Sequence, residues 1–350
     1  MLGKARHAAG AGGELMALGD LPAQDRVKRF LGLLVRTGRL PHALLFSGLP
    51  GIGKKAAALE FAKLVNCLEL PERPGPAAAP PDCCDVCASC HKITAGTHPD
   101  LIRIARDGTY IKLAQIQELR GRLRYNPVAA RRRVIIIEDA QDLKEEAGNA
   151  LLKLLEEPPR RNLFLLLAPE PQMLLGTIVS RCCHLRFQPL PEAWIERRLI
   201  EDHQVDQAAA AHIARLSGGS LSQARLWAEP DRLARRQEVF RRIGTLKGQS
   251  MMDFFALTEK WAKEDGDLEQ DLDCIKFWLR ELLHSRIRKS SSAGQRGPGE
   301  LRDLGAGLAA EAIFRLHAEL DRACRGLRRF ANKQLTLEGV LLTLKEVLDG

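Results

Sequence analysis

The sequence predicts an α/β domain built on a parallel sheet, followed by regions made only of helices. Two patterns carry this. A short apolar run, 43–46, leads at once into the glycine-rich turn 48–53 and a helix running to about Asn66, which is the layout of a phosphate-binding strand–loop–helix unit. Further short apolar runs at Leu101–Ile104, 134–137 and 163–167 read as parallel strands buried on both faces. After Pro191 no strand-like run survives.

The elements follow in order. Residues 1–15 are Gly/Ala-rich and read as a flexible tail, with Met16 an alternative start. In Asp25–Thr37 the apolar Val27, Phe30, Leu31, Leu34 and Val35 recur at helical spacing. A Pro/Ala stretch, 70–81, leads into a cysteine cluster. Between the last two strands, 145–157 reads as a helix stopped by Pro158 and Pro159. The expected division is a phosphate-loop domain over 16–190 with a cysteine module at 67–90, a small helical domain over 191–230 and a larger one over 231–350. The last is interrupted by a Ser/Gly/Pro loop at 290–299.

Composition narrows the function classes. A chain of 350 residues, 45% of them apolar, can bury several cores and is not largely disordered. No apolar run approaches the roughly 18 residues of a membrane span. The N-terminus lacks the apolar centre of a signal peptide, so a cytoplasmic protein without membrane partners is expected. Nine cysteines in a reducing compartment point to metal ligands or buried thiols rather than disulfides. With 53 Lys and Arg against 44 Asp and Glu, the net charge is +9. That balance permits nucleic-acid contact, although the clusters at 131–133, 235–236, 241–242, 286–289 and 328–329 fit solvated faces equally well. Aromatic residues make up 5%, which argues against a stacking platform for single strands.

Gly48-Leu-Pro-Gly51-Ile-Gly53-Lys54-Lys55 meets seven of the eight positions of G-x-x-x-x-G-K-[ST]. Glycines let backbone N–H groups converge on an anion, the following helix dipole favours negative charge, and Lys54 is placed to reach a β/γ-phosphate. Position eight is Lys55, where Mg²⁺ requires a hydroxyl; an ammonium has no lone pair to give and repels a cation. At the end of its strand, Glu138 precedes Asp139, whereas working NTPases of this class carry Asp for the metal and then Glu for the water. The exchange moves both carboxylates by about one methylene, enough to disturb a reaction that depends on positioning. The nucleotide site of Gly48, Gly51, Gly53, Lys54, Lys55, Glu138 and Asp139 therefore reads as degenerate, with ATP and Mg²⁺ bound weakly or not at all.

Cys84, Cys87 and Cys90 stand at successive x₂ spacings, and Cys67 lies seventeen residues upstream. Four thiolates so arranged suit tetrahedral Zn²⁺ in a structural site with no open position. Cys83 can substitute for Cys84, and His91 for Cys90, as alternative ligands. Cys182, Cys183, Cys274 and Cys324 read as small core residues.

Several motifs coincide: Leu40-Pro-His-Ala-Leu-Leu-Phe-Ser-Gly48, the cysteine module, Ala95-Gly-Thr-His-Pro-Asp100, Asn149-Ala-Leu-Leu-Lys-Leu-Leu-Glu-Glu-Pro-Pro159 and Ser180-Arg181-Cys182. Together, from about Leu18 to Leu226, they resemble the delta-prime subunits of bacterial DNA polymerase III clamp loaders, which are AAA+ proteins. The resemblance implies a RecA-like AAA+ domain with an inserted zinc module, a helical lid and a helical oligomerising collar. It implies a hetero-pentamer with delta and three gamma/tau subunits that opens the sliding clamp and sets it on primed DNA. It also implies that Arg181 reaches, as an arginine finger, the ATP of a neighbouring gamma/tau subunit. Against the same pattern, Ala168 stands where active relatives carry a polar sensor, and Ser222 where they carry a second-sensor arginine, with Arg225 three residues on. His98 and Pro99 are expected to set a turn, and Asn149 and Lys153 to face either DNA or solvent.

The resulting expectation is a non-hydrolysing replication subunit. Its rivals are a slow ATPase of the gamma/tau kind, since Lys54 and both acidic residues remain, and a zinc-dependent DNA-binding adaptor.

Overall fold

The computed structural model describes residues 22–69, 82–264, 268–287, 308–328 and 331–349. The expected tail at 1–15 with the Met16 start, the 70–81 stretch and the 290–299 loop lie outside the described residues. Five strands, β1 (Ala43–Ser47), β2 (Leu101–Ile104), β3 (Arg133–Ile137), β4 (Asn162–Ala168) and β5 (Cys183–Arg186), form one parallel sheet in the order β2-β3-β4-β1-β5. Crossovers between them are helical: α1 (Asp25–Thr37) precedes the sheet, and α2 (Lys54–Asn66), α3 (Ala88–Thr94), α4 (Leu113–Arg122), α5 (Glu145–Glu156) and α6 (Gly176–Val179) connect its strands. The remainder is α7 (Glu192–His203), α8 (Gln207–Leu216), α9 (Leu221–Ala228), α10 (Pro230–Gly244), α11 (Met251–Lys263), α12 (Leu268–Ile287), α13 (Ala310–Arg328) and α14 (Lys333–Asp349).

The apolar runs pack as read from the sequence. β1, β3 and β4 are buried at every position. Ile102, Ile135, Phe164 and Ala43 form one transverse row across four strands. Burying such side chains contributes about 1.5–3 kcal/mol each and makes this row the centre of the domain. One side is covered by α4 and α5, with Ile116, Leu119, Ala147, Leu151, Leu154 and Leu155 in the same core. The α1 stripe holds, and the helix stops at Gly38, whose left-handed φ of 66° lets its N–H reach Val35 O.

Strand β5 is a departure from the sequence reading, which placed no strand there. Cys182 and Cys183 are correspondingly half-buried rather than core residues, whereas Cys274 and Cys324 are buried. Contacts group the chain into two compact units, one ending at Trp194 with Gly219–Ser222 added, the other holding Ile195–Gly218 and the chain from Gln223 on. The second unit is helical, with the buried Leu337, Val340, Leu341, Leu344 and Leu348 along α14. No helix among the described residues is long and apolar enough to cross a membrane.

Candidate functional site

The loop between β1 and α2 has the backbone of a phosphate loop, with Gly48, Gly51 and Gly53 at φ values of 140°, 75° and 94°. Two of these positions admit no side chain. A Cβ on Gly48 would lie 2.6 Å from Ile52 Cδ1, and one on Gly51 would lie 2.6 Å from Ser222 Oγ. The loop is held from outside: Gly48 N–H donates to Pro169 O at 2.9 Å, Ser220 Oγ donates to Pro50 O at 2.7 Å, and Leu221 N–H donates to Gly51 O at 3.1 Å. Ser222, which the resemblance would put at a second-sensor position, packs on the loop as a small hydroxyl, and the Arg225 guanidinium is 2.8 Å from Asp202.

Both lysines of the motif are engaged within the fold. Lys54 Nζ donates back to Gly48 O and, at 2.8 Å, to Leu49 O. Burial pulls its ammonium down to about 8, against the opposing pull of the Asp139 carboxylate. Lys55 Nζ lies 2.8 Å from Glu138 Oε2, and Arg103 closes on Oε1 of the same carboxylate at 2.7 Å. The loop position that should help to ligate Mg²⁺ is a cation, and it neutralises the leading acidic residue of the strand end. Asp139 follows with φ of 49°. Ala168 closes β4, 1% exposed, with no polar group to offer a γ-phosphate.

The cysteine module packs beside the far end of α2. The sulfurs of Cys67, Cys84, Cys87 and Cys90 all lie within 4.8 Å of one another. Tetrahedral Zn²⁺ with Zn–S bonds near 2.3 Å needs sulfurs about 3.8 Å apart, so this donor set fits a metal of that kind. Backbone N–H groups of Cys84, Cys87 and Cys90 point at the sulfurs of Cys67, Cys84 and Cys87, at 3.5, 3.3 and 3.5 Å. Burial raises the Cys87 thiol, yet the N–H groups of Cys90 and Leu68 outweigh it and bring the thiol down to about 6. The four cysteines could therefore hold a metal such as zinc.

Neither substitute ligand belongs to the set. Cys83 Sγ turns instead to Asp85 and Glu60, at 3.1 and 3.5 Å, and burial pushes its thiol far up. His91 is exposed. Sequence reasoning missed the brace under the module, the buried Lys63 ammonium, 2.6 Å from Glu60 and 2.7 Å from Asp85. An acid three residues before a lysine on α2 was the signal.

Arg181 stands apart from the loop, just after α6. Its guanidinium meets Glu156 Oε1 at 2.7 Å and Thr177 O at 3.0 Å, and its side chain is 35% exposed. His98 sets the expected turn: Nδ1 accepts from Asp100 N–H at 3.1 Å. Asn149 and Lys153 are exposed on α5.

A family model described as "DNA polymerase III, delta subunit" matches residues 23–191. The Bacillus subtilis DNA polymerase III subunit delta' is 35% identical over 271 residues, covering 75% of this chain and 78% of that protein. The chain belongs to the delta-prime family. Similarity extends to the tau and gamma subunits: 32% identity over 260 residues to DNA polymerase III subunit tau of Escherichia coli, and 35% over 207 residues to tau/gamma of Haemophilus influenzae. The chain covers 71% and 58% of its own length in these matches but spans only 38% and 29% of theirs. In this delta-prime chain the phosphate loop belongs to the five-stranded parallel-sheet unit, an α/β fold, and the remainder is helical.

Proposed function

We propose that this delta-prime chain is a clamp-loader subunit that hydrolyses no nucleotide itself and lends Arg181 to ATP held by a neighbouring gamma/tau subunit. The observation that carries the first half is the Lys55–Glu138–Arg103 cluster, in which an ammonium at 2.8 Å occupies the acidic residue that would otherwise turn toward Mg²⁺. Without a metal hydroxyl ligand and without polar groups at Ala168 or an arginine at Ser222, the chain lacks what phosphoryl transfer requires.

For the second half, the Arg181–Glu156 pair is exposed, and exposed pairs contribute at most about 1 kcal/mol. A γ-phosphate presented by a neighbour offers more charge and a better fork for the guanidinium than one carboxylate. The fixed cation then stabilises charge that builds on the γ-phosphate oxygens as the bond to the leaving diphosphate breaks.

The assembly in this reading contains delta and gamma/tau copies in a cytoplasmic hetero-pentamer, meeting the sliding clamp and primed DNA as a complex. Residues 191–230 act as lid and 231–350 as collar. Zn²⁺ at Cys67, Cys84, Cys87 and Cys90 would be structural, because four protein ligands leave no place for water; bound there, it supplies only a cross-link. The test is phosphate release by the isolated chain, expected at background, beside DNA-stimulated release by the reconstituted loader. Turnover by the isolated chain would favour the slow-ATPase reading instead.

A further inference from the structure

Strands β2, β3 and β4 begin at Leu101, Arg133 and Asn162, so the residues before them share the end of the sheet opposite the phosphate loop. That end is organised around a buried ion pair. Asp100, 1% exposed, accepts from the N–H groups of Val128, Ala129 and Ala130 at 3.0, 2.7 and 2.9 Å and pairs with Arg133 at 3.2 Å. Arg133, 5% exposed, donates to the carbonyls of Arg122, Tyr125 and Asn126 at 2.9, 2.8 and 3.0 Å. Six backbone groups of residues 122–130 are thus fixed from inside, where a surface loop would ordinarily be loosely held.

What this scaffold holds outward is cationic. Arg120, Arg122, Arg124 and Arg131 are exposed, with Tyr125 at 75% and Val128 at 81% between them. The turn before β4 joins through Arg133 N–H to Arg161 O at 2.8 Å and adds the exposed Arg160 and Arg161. Among the described residues none of these six guanidinium groups is in an ion pair, whereas Arg103, Arg133 and Arg181 all are.

We propose that this edge is a sequence-independent contact for the phosphate backbone of duplex DNA. Gathering unpaired guanidinium groups is unfavourable unless a polyanion meets them, and their planar forks match phosphate oxygens. Tyr125 adds a hydroxyl donor of the kind that positions a backbone without reading bases. Protein interfaces are depleted of charge at their centres, whereas here one tyrosine and one valine sit among six cations. With one exposed aromatic ring, the surface is no platform for stacking single strands. The choice of duplex DNA as the polyanion rests on the replication-subunit reading; the geometry of the edge does not.

The experiment uses the full chain and a labelled duplex, followed by fluorescence anisotropy from about 50 mM salt upward. Wild type should bind with an affinity that falls steeply with salt. The R122E/R124E/R131E variant should bind at least about tenfold more weakly, with a log–log salt slope smaller by about 0.9 for each phosphate no longer neutralised. The corresponding triple lysine variant should keep most of the affinity, and equal thermal melts for all three chains would show that the fold is retained. Equal affinity of the reversed-charge variant, or no association of wild type, overturns the inference. So does retained duplex affinity with lost binding to purified sliding clamp, which would assign the edge to a protein. No step involves ATP, so failure here leaves the Arg181 reading intact.

Discussion

Lys55 and Glu138 are joined at 2.8 Å across the phosphate loop and the end of β3. Lys55→Thr restores the hydroxyl of the loop motif but leaves Glu138 with Arg103 and leaves Ala168 and Ser222 unchanged. The isolated variant should still release no phosphate above background. Sustained turnover after this one substitution would mean that the remainder of the site is sound.

Lys54 carries a pH signature. Its proton is held less tightly in the folded chain, at about 8, than at its ordinary 10.5, so stability should rise as pH passes through that interval. In thermal melts Lys54→Met should flatten this rise. DNA-stimulated ATP turnover of the loader should stay near wild type, and a large loss would show that the loop still serves chemistry.

Arg181→Ala should leave loader assembly intact and lower its DNA-stimulated ATPase by roughly tenfold or more, as removal of a finger does. Glu156→Gln releases the guanidinium from its 2.7 Å partner without removing it, so turnover should be kept or raised. Steady-state phosphate release on the reconstituted complex reads both. Unchanged turnover for Arg181→Ala would rule out the finger.

Elemental analysis of the purified chain should return one zinc. Cys84→Ser should lose it and lower the melting temperature by roughly 10 °C, the shift expected for a few kcal/mol in a domain of this size. Cys83→Ser should keep the metal, since that sulfur faces Asp85 and Glu60. A metal-free native protein would refute the zinc assignment.

Burial raises the Asp100 carboxyl, but the N–H groups of Ala129, Val128 and Ala130, with Arg133, outweigh it and hold it below its ordinary 3.8. Because the folded value is depressed, its stabilisation is complete above 3.8 and is lost as pH falls through the folded value. Asp100→Asn should destabilise the chain by about 3–5 kcal/mol at neutral pH by leaving Arg133 buried and uncompensated. It should also unfold less steeply in acid, as read by circular dichroism.

Much of this was legible in the sequence. The runs that became β1 to β4, the loop glycines and the four cysteines are dictated by period, turn chemistry and spacing. β5 was not, because Cys183–Arg186 is an edge strand whose alternating half-buried and exposed residues include His184 and Arg186. Helix α4 has only Ile116 and Leu119 buried, too few to mark a stripe. The charge clusters hid their own division of labour. Arg133 reads like its neighbours Arg131 and Arg132 but is buried on Asp100, and Arg235 and Arg242 meet Asp271 and Glu264. Spacing alone could not choose Cys84 over Cys83 either, because that choice lies in how the backbone turns each thiol.

The ammonium of Lys55 is the tenant of the crevice at Glu138. On the proposed reading, swings in the cell's magnesium or in its ratio of triphosphate to diphosphate would find nothing there to displace. If the proposed ring of subunits flexes with each round of fuel, such a member would be a fixed post against which the others measure their stroke.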